Sequence, residues 1–226
     1  MIAILLCGGK GERLRPLTLD IPKPMVKIKD KPIVSYILDQ IKHPKINKIF
    51  ITVGYKAEII ESYFKDNFLD RNIEIINNGD VDIIERIKSV IDLNSDENEF
   101  LILYGDTISN VNLDTLIGYS NDITEPGLIT IWPLSTSFGV VEIDSNNIVI
   151  GFKEKPRLDK WINIGYFILK KDILNNLDQF AKFEDYLQFC GQNKLFKAYK
   201  HEGEHYTVNT IVELDIVEKN INKIIN

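Results

Sequence analysis

The sequence predicts an α/β protein, built as a single domain on a doubly wound, mostly parallel sheet that also contains antiparallel strands. In residues 1–120, four apolar strand-like segments alternate with amphipathic helical segments, an order that produces parallel strands joined by helices. The first apolar run, Ile2–Leu6, leads into glycines at Gly8, Gly9 and Gly11, as a buried first strand does when it passes into a loop. Ligands are therefore expected at the carboxyl ends of the strands.

The elements are predicted in chain order from hydrophobic periodicity and turn residues. The first half is expected to contain helices at 31–42, 57–68, 82–93 and 112–119, the last with Asn112 near its N-cap, and strands at 48–54, 73–76 and 100–104. The second half is expected to add strands at 128–134, 139–143, 148–152, 161–169 and 195–199, with 139–143 and 148–152 forming a hairpin. Further helices are expected near 172–180, 183–193 and 212–225.

Composition limits the classes of function. The chain has 226 residues, 44% of them hydrophobic, and a formal net charge of −6, which suits one good core. No apolar segment is long enough to span a bilayer, and the N-terminus lacks the features of a signal peptide. The two cysteines, Cys7 and Cys190, lie far apart in sequence and near no histidine cluster. We therefore expect a reduced, cytoplasmic protein that binds neither membranes nor nucleic acid.

The loop after the first strand is basic within this acidic chain. Between residues 10 and 31, seven lysines and arginines stand against three acids, which favours a polyphosphate ligand. Glycine N–H groups can approach such an anion closely because glycine has no Cβ. A plain surface turn remains an alternative interpretation. A dinucleotide fingerprint and a Walker A loop are disfavoured, because the third glycine of the first and the Gly-Lys-Ser/Thr of the second are absent.

The pattern Gly-Gly-x-Gly-x-Arg-Leu, followed by Pro-Lys-Pro-Met at 22–25, resembles the sugar-phosphate nucleotidylyltransferases, which join a nucleoside triphosphate to a phosphorylated acceptor. Asn78-Gly79-Asp80 and Arg86-Ile87-Lys88 are similar to segments of the glucose-1-phosphate cytidylyltransferases within that family. The resemblance implies a Rossmann-like, GT-A-like fold, Mg²⁺ as cofactor, and CTP and a small phosphorylated acceptor as substrates. It also implies a nucleotide-binding half at 1–120 and an acceptor-binding half at 121–226, and leaves the oligomeric state open, a homodimer included.

The resemblance implies roles for individual residues. Arg13 and Lys23 are expected to be catalytic and to bind the nucleotide phosphates, and Asp106 is expected to hold Mg²⁺. Taken alone, an aspartate at that position would also suit a helix cap. The other expected nucleotide-binding residues are Leu6, Gly8, Gly9, Gly11, Glu12, Asn78, Gly79, Asp80, Arg86 and Gly105. The expected acceptor-binding residues are Glu154, Lys155, Asn163 and Gly165, although Lys-Glu-Lys-Pro at 153–156 also suits a charged strand end.

Four features depart from the cytidylyltransferase pattern. Glu12 adds negative charge near the phosphates, Ile83-Ile84-Glu85 replaces a glycine pair, and length is missing on the acceptor side. Asn209 stands where the family has an aspartate as the second metal ligand, and a neutral amide oxygen is a weaker ligand for a hard cation. A helix cap is the alternative role for Asn209.

We therefore expect CMP transfer from CTP to a phosphorylated acceptor, with release of pyrophosphate, in the synthesis of capsule or other cell-surface polysaccharide precursors. The acceptor is expected to be a sugar 1-phosphate or another small phosphorylated metabolite such as phosphoglutamine. The alternatives are guanylyl or uridylyl transfer, a non-catalytic nucleotide sensor, and a Rossmann-type oxidoreductase, which the glycine spacing disfavours.

Overall fold

The computed structural model describes residues 1–68 and 72–225 and confirms the predicted α/β class. The strands are β1 Ile2–Cys7, β2 Lys27–Ile28, β3 Lys31–Pro32, β4 Lys48–Val53, β5 Ile73–Asn77, β6 Glu99–Tyr104, β7 Thr107–Ser109, β8 Gly127–Ser135, β9 Val140–Ile143, β10 Val149–Lys153, β11 Arg157–Lys170, β12 Phe196–Lys200 and β13 His205–Thr207. The helices are α1 Ile33–Gln40, α2 Ala57–Asn67, α3 Ile83–Leu93, α4 Leu113–Asp122, α5 Lys171–Leu174, α6 Phe183–Gln192, α7 Ile211–Asn220 and α8 Asn222–Ile225.

A seven-stranded sheet in the order β12-β8-β11-β6-β1-β4-β5 forms the centre of the molecule. β1 pairs in parallel with β4 and β6, β4 with β5, and β8 with β12, whereas β11 runs antiparallel to both β6 and β8. The predicted mixed, mostly parallel sheet is therefore confirmed. The short pairs β2–β3, β7–β13 and β9–β10 lie outside this sheet.

Helices cover both faces of the sheet, which explains why the central strands are apolar at nearly every position. Along β1, Ala3 and Leu5 face the core packed by α1, α2, α4 and α7, while Ile2 and Ile4 face the core packed by α3, α5 and α6. No helix among the described residues has the length and apolar character needed to cross a membrane. Cys7 and Cys190 are free and buried, and burial raises the pKa of both thiols.

Most predicted elements are present, and two are divided. Asn112 is the N-cap of α4, where its side chain accepts a hydrogen bond from the Thr115 N–H at 2.9 Å. The predicted hairpin forms as β9 and β10. The helix expected near 172–180 ends at Asn175, and the chain then forms a 3₁₀ turn. Asparagine disfavours a helix interior because its side chain can hydrogen-bond nearby backbone groups in non-helical conformations. The closing helix is likewise divided, into α7 and α8.

The ends of β1 and β6 approach each other so closely that residue 105 has to be glycine. The Gly105 N–H donates to the Leu6 carbonyl oxygen at 3.0 Å. A Cβ on Gly105 would lie 2.5 Å from that oxygen and 2.6 Å from the Cys7 sulfur. The chain can therefore turn out of β6 beside β1 only without a side chain at this position.

We predict that Gly105→Ala lowers the free energy of unfolding by about 1–3 kcal/mol, the usual cost of forcing a methyl group into a packed site. Gly118→Ala is the matched control, because Gly118 lies inside α4 with open space around its Cβ direction. That change should stabilise the protein by up to about 1 kcal/mol through helix propensity. Urea unfolding measures both variants, and a Gly105→Ala protein as stable as the parent would contradict the packing argument.

Candidate active site

A cleft of about 940 Å³ lies at the carboxyl ends of β1 and β6. Its walls include most of the residues that the sequence predicts to bind the nucleotide and metal: Leu6, Gly8, Gly9, Gly11, Glu12, Arg13, Lys23, Asp80, Arg86, Gly105, Asp106 and Asn209. Parallel strands direct their carboxyl ends to one edge, which is why segments far apart in sequence meet here.

Lys23 connects three of these segments. Its ammonium donates hydrogen bonds to Asp106 Oδ2 and, at 2.9 Å, to Asn209 Oδ1. Arg13 Nη2 donates to the same Asn209 oxygen at 2.9 Å. Only 12% of the Lys23 side chain is exposed, and Pro22 and Pro24 stiffen the backbone on either side of it. Thus Arg13 and Lys23, two cations of the first loop, contact the side-chain oxygens of residues 106 and 209. The first of these residues follows β6 and the second precedes α7.

The helix-cap alternatives for Asp106 and Asn209 are wrong. Asp106 precedes β7, and α4 is capped by Asn112 instead. α7 is capped by Thr210, whose hydroxyl accepts from the Glu213 N–H at 3.2 Å while Glu213 accepts from the backbone N–H groups of 209 and 210. This capping box fixes the backbone before α7, and the Asn209 side chain points to Arg13 and Lys23.

Arg86 lies under the glycine-rich loop and is only 4% exposed. Its guanidinium donates to the carbonyl oxygens of Val53 at 2.6 Å, Gly79 at 2.7 Å and Val81 at 3.1 Å. A Cβ on Gly8 would lie 2.0 Å from the Arg86 Cζ atom. Glycine at position 8 therefore makes room for the guanidinium below the loop. Burial lowers the pKa of Arg86, although arginine stays protonated at neutral pH.

The glycine-rich loop and the 78–80 segment meet through an exposed ion pair. Lys10 Nζ lies 2.8 Å from Asp80 Oδ2, and this contact raises the pKa of Lys10 and lowers that of Asp80. Asn78 does not line the cleft; it lines a neighbouring groove. Gly79 contributes its carbonyl oxygen to Arg86. The three residues of the predicted segment 78–80 therefore lie in different surroundings. Asp80 lines the cleft, Asn78 lines the neighbouring groove, and Gly79 contacts the buried Arg86.

The predicted acceptor residues separate into two groups. Gly165, at φ +75°, leaves room for the ring of Tyr104, because a Cβ on residue 165 would lie 2.4 Å from that ring. Tyr104 lines the cleft. Burial raises the pKa of Tyr104 to about 12, and the nearby polar side chain of Asn163 partly offsets the rise. Glu154 and Lys155 do not line the cleft. Both are more than 60% exposed at the end of β10, as the strand-end interpretation predicts.

The structure adds cleft residues that the sequence did not indicate. The start of α6 contributes Lys182, Phe183 and Glu184 to the wall, and Tyr104 forms the wall beside them. Lys182 has no ion-pair partner within the described part of the chain. Behind Asp106, burial lowers the pKa of His205 to about 4, so this imidazole is neutral at physiological pH. Nothing in the local sequence of α6 marks its first residues as part of the cleft, because only tertiary packing brings them there.

The residues present fit a magnesium ion that takes most of its ligands from the substrate. The described residues contain no group of three or more histidine, cysteine, aspartate or glutamate side chains that could hold a metal. Asp106 and Asn209 nevertheless direct one carboxylate and one amide oxygen at the same cation, the Lys23 ammonium. Mg²⁺ commonly binds through one or two carboxylates and fills its other positions with phosphate oxygens and water.

The fold and this cleft are those of a nucleotidyltransferase. The family model for nucleotidyl transferases matches residues 2–214, and the chain belongs to that family. It is 36% identical over 200 residues to the D-glycero-alpha-D-manno-heptose 1-phosphate guanylyltransferase of Campylobacter jejuni, covering 83% of this chain and 85% of the relative. It is 27% identical over 237 residues to the glucose-1-phosphate cytidylyltransferase of Salmonella typhi, covering 93% and 92%. The solved structure of HddC from Yersinia pseudotuberculosis matches with a TM-score of 0.71 at 25% identity, covering 97% of this chain and 99% of that one.

We predict that Arg86→Met destabilises the protein by at least about 2 kcal/mol, because it leaves partly buried carbonyl oxygens without a donor. Arg86→Lys should recover only part of the loss, since an ammonium cannot reproduce the geometry of the guanidinium fork. Lys88→Met is the control two residues along the same helix, where the side chain is in an exposed ion pair with Asp178. The measurement is the urea concentration at the midpoint of unfolding. Equal midpoints for Arg86→Met and Lys88→Met would refute the stabilising role of Arg86.

Proposed function

We propose that the protein transfers CMP from CTP to a small phosphorylated acceptor and releases pyrophosphate. The observation that carries this proposal is the meeting of Arg13, Lys23, Asp106 and Asn209 beside the glycine-rich loop. Fixed cations and an oxygen pair at the carboxyl ends of parallel strands suit a triphosphate and its magnesium ion. The acceptor is a sugar 1-phosphate or another small phosphorylated metabolite, phosphoglutamine included.

The reaction needs positioning and charge stabilisation more than proton transfer. An acceptor phosphate oxygen forms a bond to the α-phosphorus of CTP, and the bond from that phosphorus to the pyrophosphate oxygen breaks in line. The acceptor phosphate is already ionised near neutral pH, so no general base is required. Arg13 and the N–H groups of the glycine-rich loop hold the β- and γ-phosphates, which makes pyrophosphate a better leaving group.

Lys23 has the donors to serve both the resting site and the reacting one. An ammonium carries three N–H donors, so Lys23 can donate to the α-phosphate and the leaving oxygen once Mg²⁺ takes its place at the Asp106 and Asn209 oxygens. Bound Mg²⁺, held by Asp106 and Asn209, would neutralise charge on the phosphates.

Two related base specificities compete. Cytidylyl transfer is supported by the likeness of Asn78-Gly79-Asp80 and Arg86 to the cytidylyltransferases, and by relatives named as such. Guanylyl transfer is supported by the higher identity to a heptose 1-phosphate guanylyltransferase. We favour CTP, and place the enzyme in the cytoplasmic synthesis of capsule or other cell-surface precursors. The two free, buried cysteines suit that reducing compartment.

The nucleotide is tested by measuring pyrophosphate release with CTP, GTP, UTP and dTTP at matched concentration, each with a panel of sugar 1-phosphates and phosphoglutamine. We expect release to be fastest with CTP. Faster turnover with GTP would contradict cytidylyl transfer and favour the guanylyltransferase alternative. Saturable CTP binding without release for any acceptor would favour the nucleotide sensor. Binding of NAD(P) in place of the triphosphates would revive the oxidoreductase hypothesis.

Lys23→Ala is expected to lower kcat roughly 10²–10³-fold, the scale seen when one donor that stabilises transition-state charge is removed. Lys27→Ala is the matched control, because Lys27 is exposed on β2 and does not line the cleft. Circular dichroism would show that both variants are folded. Activity of Lys23→Ala within threefold of the Lys27→Ala protein would exclude Lys23 from the mechanism.

A further inference from the structure

Beyond Tyr104, the surface of the sheet continues along β11 in the direction of the carboxyl end of β6. Asn163, whose side chain lies near Tyr104, and Trp161 are two residues apart on a regular part of β11, opposite Ile131 and Pro133 of β8. Side chains two residues apart on a strand share a face and lie about 7 Å from each other. Trp161 therefore lies on the face that Asn163 occupies, one step further from the cleft.

Two cations flank the Trp161 ring. The Arg157 Cζ atom lies 5.3 Å from the centre of the ring, and Lys200 Nζ lies 4.8 Å from it. Lys200 is level with Asn163 across the sheet, because both pair with Ile131 of β8. Arg157, Trp161 and Lys200 form a cluster that we term the tryptophan patch.

The charge of the tryptophan patch is only partly balanced. Glu202 lies 3.7 Å from Arg157, and both side chains of this pair are more than half exposed. Lys200 has no ion-pair partner among the described residues. Cation–π contacts at exposed sites stabilise only weakly, whereas two like charges held over one ring repel each other. An anion bound between the two cations would relieve that repulsion and gain charge-assisted hydrogen bonds.

We propose that the tryptophan patch binds an anionic group of the acceptor, at the end remote from the phosphate that attacks CTP. This inference rests on the proposed function, because it assumes that the acceptor lies between Asp106 and β11. Its acceptor is a small phosphorylated metabolite with a second anionic group, either a carboxylate or another phosphate. Trp161 supplies an apolar surface for the carbon skeleton, and Arg157 and Lys200 donate to the anion.

The test compares three probes by isothermal titration calorimetry without nucleotide: glucose 1-phosphate, glucuronic acid 1-phosphate and glucose 1,6-bisphosphate. At carbon 6, the second carries a carboxylate in place of the hydroxymethyl group of the first, and the third carries that hydroxyl as a phosphate ester. We expect at least one of the two doubly anionic probes to bind roughly tenfold more tightly than glucose 1-phosphate, as about one charge-assisted hydrogen bond would provide. The probe that gains affinity identifies the class of anion.

Lys200→Gln and Arg157→Gln should each abolish this preference without changing the affinity for glucose 1-phosphate. Lys197→Gln, on the opposite face of the same strand, should retain it. The proposal is overturned if the parent protein binds all three probes equally or binds none, or if the Lys200 and Arg157 variants keep the preference. Because this readout needs neither CTP nor turnover, it is separate from pyrophosphate release. A retained preference without release refutes only the proposed function, and release without a preference refutes only the tryptophan patch.

Discussion

The hydrogen bonds of Lys23 to Asp106 and Asn209 are the interaction on which the cleft depends. They join Lys23 to residues 83 and 186 positions further along the chain, each of which comes from a different part of the fold. Asp106 follows β6, Asn209 precedes α7, and Lys23 sits in a short turn between prolines. Because each backbone is fixed by its own local structure, the two oxygens and the ammonium meet with little side-chain freedom left to lose. The same constraint prepares the site for a cation and phosphates.

A second constraint is the buried Arg86 side chain beneath the glycine-rich loop. Arg86 ties the end of β4 to the 79–81 segment and fills the space under Gly8. Three of its five N–H donors serve backbone carbonyl oxygens, so in this structure it holds the backbone around the loop. The charge remains close to the loop, where it adds to the field that attracts a polyphosphate. One buried residue thus shapes the loop and supports its electrostatics.

The sequence predicted features whose causes are local. Apolar runs predicted the central strands, and Asn112 predicted the start of a helix. The glycine-rich loop and Pro-Lys-Pro-Met predicted the family and the position of the cleft. It did not predict Lys182 and Glu184, because nothing near them indicates that α6 begins at the cleft. Glu154 and Lys155 were expected to bind the acceptor and do not line the cleft, since family resemblance carries residue identity but not the path of an exposed hairpin. The burial of Arg86 depends on glycines at positions 8 and 54, which contact it only in the folded chain.

In the proposed mechanism, Asp106 and Asn209 together offer the oxygens for the magnesium ion that accompanies the triphosphate. The most direct measurement is the Mg²⁺ concentration giving half-maximal pyrophosphate release in the parent, Asn209→Asp and Asn209→Ala proteins. Asn209→Asp adds a charged oxygen and should lower that concentration, whereas Asn209→Ala removes an oxygen and should raise it. Identical Mg²⁺ titrations for all three proteins would contradict the account and remove Asn209 from the metal site.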